Sequence, residues 1–220
     1  MSLPAPYYDD PKAGITIYHG DCRSILPELG RFDLLLTDPP YGIAAIWQGG
    51  SASGWRSPEK RAERNAWDAE APAPEWLAFM CECAPQQVFW GGNYFALPPA
   101  RGWLVWRKEI NPALSLGDAE LAWSNRDGPV RVFDHPRNKL TGRKMPEHPT
   151  AKPVALMSWC LSFFPEAKTV VDPYMGSGPV AKACKDRGLR YVGIELVEKY
   201  CEIAVSRLRQ EVLFGAEASR

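Results

Sequence analysis

Short apolar runs that end on an acid, separated by amphipathic stretches, set the rhythm of this chain. Leu34-Leu35-Leu36 leads through Thr37 into Asp38, Thr169-Val170-Val171 into Asp172, and Tyr191-Val192-Gly193-Ile194 into Glu195. Apolar runs without polar alternation mark strands buried on both faces, as in parallel sheets covered by helices. The pattern predicts strands near 15–18, 32–37, 86–90, 102–107, 119–124, 168–172 and 190–195. Helices are predicted near 22–29, 74–84, 151–164, 179–187 and 196–213. In the last of these Val197, Cys201, Ala204, Val205 and Leu208 recur at helical spacing, a stripe that faces a core. Alternating strands and helices imply an α/β fold: one doubly wound, mostly parallel sheet in a single domain over residues 1–220.

Composition narrows the class without choosing a function. Apolar residues make up 45% and charged residues 24%, ordinary values for a soluble globular protein. No apolar run approaches a membrane span and the first ten residues lack a signal-peptide pattern, which points to the cytoplasm. Six cysteines at 22, 81, 83, 160, 184 and 201 show no paired metal-ligand spacing and read as reduced thiols. His19, His135 and His148 add none, so no metal is expected.

Charge alters the picture only locally. The chain balances 26 basic against 26 acidic residues, so any attraction to nucleic acid is local. Between Ser124 and Lys152 seven basic residues face three acids, in a stretch poor in apolar residues. Read as an irregular surface loop, it offers Arg131, Arg137, Lys139, Arg143 and Lys144 to phosphates, and an arginine there suits bidentate contact with guanine. A second irregular stretch, near 42–70, contains Gly49-Gly50-Ser51-Ala52-Ser53-Gly54 and is expected to be a mobile loop able to close over a ligand. Trp55 and Trp67 read as its packing anchors.

Two motifs carry chemistry. Asp38-Pro39-Pro40-Tyr41 ends a strand, and in parallel sheets ligands bind at the carboxyl ends of strands. The prolines fix their own φ, restrict their predecessors and lack N–H, so the motif presents rigid acceptors beside an aromatic face. Such a set suits a planar base bearing an amino group. The second motif runs from Asp172 through Pro173-Tyr174-Met175-Gly176-Ser177-Gly178, a turn for small residues, to a helix opened by Pro179 and closed by Gly188. Glu195 follows Gly178 by 17 residues, where an acid can receive both ribose hydroxyls. On that loop alone a nicotinamide or flavin enzyme remains open, since Gly176-x-Gly178-x-x-Ala181 also fits the relaxed dinucleotide pattern.

Taken together, and in this order, the motifs resemble those of the permuted β group of DNA amino-methyltransferases, over about residues 15–204. In that likeness Asp38, Pro39, Pro40 and Tyr41 form the catalytic motif. Asp172, Tyr174, Gly176, Ser177 and Gly178 form the cofactor loop, with tyrosine at 174 where phenylalanine is commoner. His148-Pro149-Thr150-Ala151-Lys152-Pro153 resembles the segment whose Thr and Lys reach the methionine carboxylate of the cofactor. His19-Gly20-Asp21-Cys22 resembles the stretch bordering its adenine. Glu195, with Leu196 beside it, closes the nucleoside site. Gly91-Gly92-Asn93-Tyr94-Phe95 and Ala119-Glu120-Leu121-Ala122-Trp123 resemble further segments of these enzymes, without an assigned role.

The resemblance implies a Rossmann-like methyltransferase fold, S-adenosylmethionine as cofactor and double-stranded DNA as substrate. It places target recognition in the insertion near 124–148, favours a homodimer, and accommodates a restriction endonuclease partner. An aspartate heading the motif goes mostly with adenine N6 in the family, a serine with cytosine N4, so N6-adenine is expected and N4-cytosine is the alternative. A non-catalytic DNA-binding relative stays open beside the oxidoreductase.

Overall fold

The computed structural model describes residues 3–43, 68–108, 117–136 and 152–210. Among the described residues nine strands form one sheet: β1 (Tyr8–Asp10), β2 (Ile15–His19), β3 (Leu34–Thr37), β4 (Gln86–Trp90), β5 (Leu104–Arg107), β6 (Ala119–Ser124), β7 (Arg131–Asp134), β8 (Thr169–Asp172) and β9 (Arg190–Glu195). Their order across the sheet is β1-β2-β9-β8-β3-β4-β6-β5-β7. Five of the eight neighbouring pairs are parallel; β1–β2, β4–β6 and β6–β5 are antiparallel. The helices are α1 (Cys22–Ile25), α2 (Pro74–Glu82), α3 (Val154–Leu161), α4 (Pro179–Arg187) and α5 (Glu198–Arg209).

Both sheet faces are covered, as the unbroken apolar strands require. Leu34, Leu36 and Val170 point into one apolar layer with Leu156, Cys160, Val180, Cys184, Cys201 and Leu208 of α3, α4 and α5. Leu35 and Val171, one residue out of phase, point into the other with Cys22, Ile25, Leu77 and Met80 of α1 and α2. The chain leaves β3 through α2 toward β4 on one side, and leaves β8 through α4 toward β9 on the other. β3 and β8 are therefore the adjacent strands at which the winding reverses, and the crevice at their carboxyl ends is the ligand position such sheets provide.

Several boundaries differ from expectation for local reasons. The first helix stops at Ile25 and tightens into a 3-10 turn over Leu26–Glu28, because Pro27 has no N–H to continue it. Helix α3 begins at Val154 rather than near 151, after the extended Pro153. Two edge strands escape the apolar pattern: polar β1, and β7 within the stretch read as irregular. Arg131–Asp134 pairs in parallel with Leu104–Arg107, so part of the expected recognition insertion is the outermost strand of the sheet. Among the described residues no helix is long and apolar enough to cross a membrane.

Candidate active site

Asp38 and Asp172 stand at the ends of β3 and β8, on either side of the reversal. Thr37, fully buried, donates its hydroxyl to Asp172 Oδ1 at 2.8 Å and ties the two strand ends together. The Tyr174 N–H reaches the same oxygen at 3.2 Å, which starts the glycine turn. Burial pushes the Asp172 carboxyl up to about 7 against these two bonds. An acid whose folded-state pKa exceeds its unfolded value favours folding below that unfolded value, near pH 4, and the advantage disappears as pH rises toward 7. Asp172→Asn is therefore expected to remove a loss of stability of roughly 1 kcal/mol per pH unit across that window. Denaturant midpoints of both proteins from pH 4 to 8 measure it; parallel curves would contradict the assignment.

The Asp38–Tyr41 half is held from three sides. Asp68 accepts the N–H of Tyr41 at 2.7 Å and of Gly42 at 3.0 Å, so the backbone leaving the prolines is pinned by one buried carboxylate. The Tyr41 hydroxyl donates to Asp38 Oδ1 at 2.7 Å. Tyr94 stacks on the Tyr41 ring, centroids 5.0 Å apart and planes 18° from parallel, while remaining half exposed. Gly91 makes room for that ring: a Cβ there would lie 2.1 Å from Tyr41 Cε1. Burial, followed by the neighbouring Asp38 charge, holds the Tyr41 phenol well above its ordinary range, so it stays a neutral donor.

Lys152 enters the same cluster. Its Nζ donates to Asp38 Oδ2 and, at 3.0 Å, to the Tyr41 hydroxyl, and it pairs with Glu120 Oε2 at 3.3 Å. An ammonium has three N–H donors, and this set uses all of them. The resemblance gives Lys152 a cofactor carboxylate as partner; its protein partners here are Asp38, Tyr41 and Glu120.

The glycine-turn half forms a cradle. Glu195, mostly buried at the end of β9, accepts the N–H of Gly176 through Oε2 and of Val197 through Oε1, both at 2.8 Å. Burial raises its pKa, opposed by those bonds. Gly176 (φ +54°) has open space where a Cβ would point, whereas at Gly178 (φ +73°) a Cβ would meet that of Ala204 at 2.7 Å. Ser177 Oγ is buried and without a hydrogen-bond partner among the described residues. Leu196 is two-thirds exposed next to Glu195, and its carbonyl lies 3.2 Å from His19 Nε2. Asp21 caps α1 through the Arg23 N–H at 2.9 Å and pairs with the Arg23 guanidinium, which lowers its pKa. Cys22 lies beneath it, its thiol pushed up to about 11 by burial. Tyr174 receives the Trp76 indole N–H at 3.0 Å.

The structure thus gathers Asp38, Tyr41 and Lys152 at one strand end, and Asp172, Tyr174, Gly176, Ser177, Gly178, Glu195 and Leu196 at the neighbouring ends. Pro39 and Pro40 link Asp38 to Tyr41. Arg131 stands apart, exposed on β7 between Val130 and Val132, which are also exposed. Arg137, Lys139, Arg143, Lys144, His148 and Thr150 lie outside the described residues, as do Trp55, Trp67 and most of the 42–70 loop. Sequence reasoning passed over Asp68, Lys108 and the ion pairs of Glu120. An acid inside a strand otherwise apolar was the signal for Glu120; Asp68 offered none.

Residues 103–206 match a family described as DNA methylase, of the N6/N4 type. The chain is 24% identical to the type II methyltransferase M.ScaI of Streptomyces caespitosus, over 96% of this chain and 86% of that relative. Among solved structures it is similar to an M1.HpyAVI–SAM complex, with a TM-score of 0.59 and 22% identity, covering 89% of this chain and 100% of that one. It is also similar to the PvuII DNA methyltransferase (cytosine-N4-specific), with a TM-score of 0.57 and 15% identity, covering 90% of this chain and 88% of that one. At these identities the two structural likenesses speak for the fold.

Proposed function

We propose that the chain is a DNA methylase of the N6/N4 type and that it transfers a methyl group from S-adenosylmethionine to the exocyclic N6 amine of adenine in DNA. The observation that carries this reading is Asp38, fixed through both carboxylate oxygens and set beside Tyr41 at the sheet reversal, next to the Gly176–Glu195 cradle.

The cradle fits the cofactor. A ribose diol needs an acceptor, and the Glu195 carboxylate, which already accepts the N–H groups of Gly176 and Val197, is the acceptor at this strand end. The open space at Gly176 admits close approach, the orphaned Ser177 Oγ offers a polar partner, and exposed Leu196 an apolar surface for a purine. Asp21 and Cys22 border that end. Lys152 is left out of this set, because its donors are engaged elsewhere. When bound, S-adenosylmethionine supplies an electrophilic sulfonium methyl.

The chain's own residues prepare the acceptor. The lone pair of an aromatic amine is delocalised into its ring and is weakly nucleophilic. If the Asp38 carboxylate and the Pro39 carbonyl each accept one N–H, the lone pair is freed to point at the methyl. An anionic acceptor bonds more strongly than a neutral one, and its advantage grows as positive charge develops on nitrogen. A carboxylate so placed also receives the departing proton. Tyr94 holds an aromatic ring on Tyr41 where a planar base would stack, and stacking offsets part of the few kcal/mol needed to extrude that base. The basic residues Arg131, Arg137, Lys139, Arg143 and Lys144 are proposed to meet phosphates.

An aspartate at the head of the motif supports adenine over cytosine, since serine is the commoner choice with cytosine in the family resembled. Transfer of labelled methyl to unmethylated DNA, followed by nucleoside digestion and mass spectrometry, tests the reading. N6-methyladenine is the expected product. N4-methylcytosine would retain the chemistry and correct the base; no methylated base, with cofactor bound, would overturn the assignment.

A further inference from the structure

Behind Asp38 runs an ionic chain to which no role has been assigned. Lys108 follows β5, Glu120 lies in β6, and Lys152 precedes α3. Lys108 Nζ lies 2.5 Å from Glu120 Oε1, and Lys152 Nζ lies 3.3 Å from Glu120 Oε2. Both lysine side chains are nearly inaccessible to solvent, Lys152 at 3% and Lys108 at 11%. Lys152 then reaches Asp38 and Tyr41, whose hydroxyl in turn donates to Asp38, closing a ring of three hydrogen bonds.

We propose, on the functional reading above, that Glu120 is a positioning residue for methyl transfer: it holds the Lys152 ammonium against Asp38 and Tyr41, and is itself held by Lys108. The acceptor carboxylate is then fixed through both oxygens before a base arrives, each oxygen keeping a lone pair for an amine N–H. Preorganisation of this kind lowers the barrier because nothing has to reorient as charge develops.

Charge makes a second requirement. Lys108 and Lys152 balance Glu120 and Asp38, so the cluster is neutral. Without Glu120 an uncompensated cation would sit beside an amine that becomes positive during the reaction. Burying a charge without its partner is costly, so the acid cannot be replaced by a neutral group without consequence.

The groups facing Lys152 are Asp38 and Tyr41 beyond β3, Glu120 on β6, Lys108 beyond β5, the Trp90 ring of β4 at 5.4 Å, and Cys160 of α3. Burial alone would favour loss of the Lys152 proton, but Asp38 and Glu120 outweigh it and raise its pKa. Burial would likewise raise that of Glu120, yet Lys152 and Lys108 bring it to about 2. Removing the Glu120 charge takes away one support of the ammonium. Lys152 then deprotonates at lower pH, and the alkaline limb of the rate profile moves down.

The test uses the full chain with S-adenosylmethionine and DNA, comparing wild type with Glu120→Gln, Glu120→Asp and Lys152→Met. Glu120→Gln is expected to lower kcat by roughly tenfold or more and to move the alkaline limb of kcat/KM to lower pH. Glu120→Asp, which keeps the charge, should restore the limb and part of the rate. Lys152→Met leaves Glu120 paired with Lys108, serves if glutamine at 120 prevents folding, and should lower kcat at least as far. Calorimetry should show S-adenosylmethionine affinity within about threefold of wild type in all three. Unchanged kcat and an unmoved limb in Glu120→Gln would overturn the proposal. So would a tenfold loss of cofactor affinity in Lys152→Met with kcat preserved, which would return Lys152 to the cofactor carboxylate. A wild type that transfers no methyl would instead strike the functional reading itself.

Discussion

Asp38→Asn is expected to reduce methyl transfer by about a thousandfold or more while leaving S-adenosylmethionine binding nearly unchanged. Asparagine keeps the size of the side chain and one carbonyl acceptor, but it loses the negative charge that strengthens as the amine becomes cationic. It also cannot accept through both oxygens, so one of the bonds from the Tyr41 hydroxyl and Lys152 is lost. Lys152 keeps Glu120 as its counter-charge, which should allow the protein to fold. Asp38→Ala should be at least as inactive. Single-turnover transfer to a DNA duplex, with cofactor affinity measured separately by calorimetry, gives the two numbers. Near-normal turnover in Asp38→Asn would remove Asp38 from the chemistry.

Replacing Glu195 should produce the opposite division. Glu195→Ala is expected to weaken S-adenosylmethionine binding by roughly a hundredfold, as the loss of hydrogen bonds to a charged acceptor implies, with kcat at saturating cofactor falling far less. Two effects combine here. The carboxylate would no longer receive ribose hydroxyls, and the N–H groups of Gly176 and Val197 would lose the acceptor that now shapes the cradle. Glu195→Gln separates them, since an amide oxygen preserves one backbone bond but not the pair. Unaltered affinity in Glu195→Ala would mean that the nucleoside binds elsewhere.

What was legible in the sequence was local. An apolar run halted by Asp-Pro-Pro, or by Asp-Pro followed by glycines, reports a strand end directly, because proline and glycine restrict or free φ whatever surrounds them. That is why Asp38 and Asp172 could be named as strand-end acids from their neighbours alone, while Glu195 was marked only by the apolar run before it. Strand β7 could not, because Arg131-Val132-Phe133-Asp134 has no apolar run and owes its extended form to the partner strand β5. Strand β1, three residues at the sheet edge, is similar: it exists by pairing with β2. Asp68 became visible only once its carboxylate was found on the Tyr41 and Gly42 N–H groups, 27 and 26 positions away.

The sequence by itself determined the order of the two motifs, the acids at the strand ends, and the covered, mostly parallel sheet, since each follows from patterns a few residues long. Tertiary structure alone decided the company those acids keep. Lys152 meets Asp38 and Glu120 because the sheet sets β3, β4 and β6 side by side, which brings positions 38, 120 and 152 together. No local spacing encodes that meeting. A buried ammonium pairs with whichever carboxylates the fold leaves within reach, because leaving it unpaired costs more than any local preference of its segment can supply.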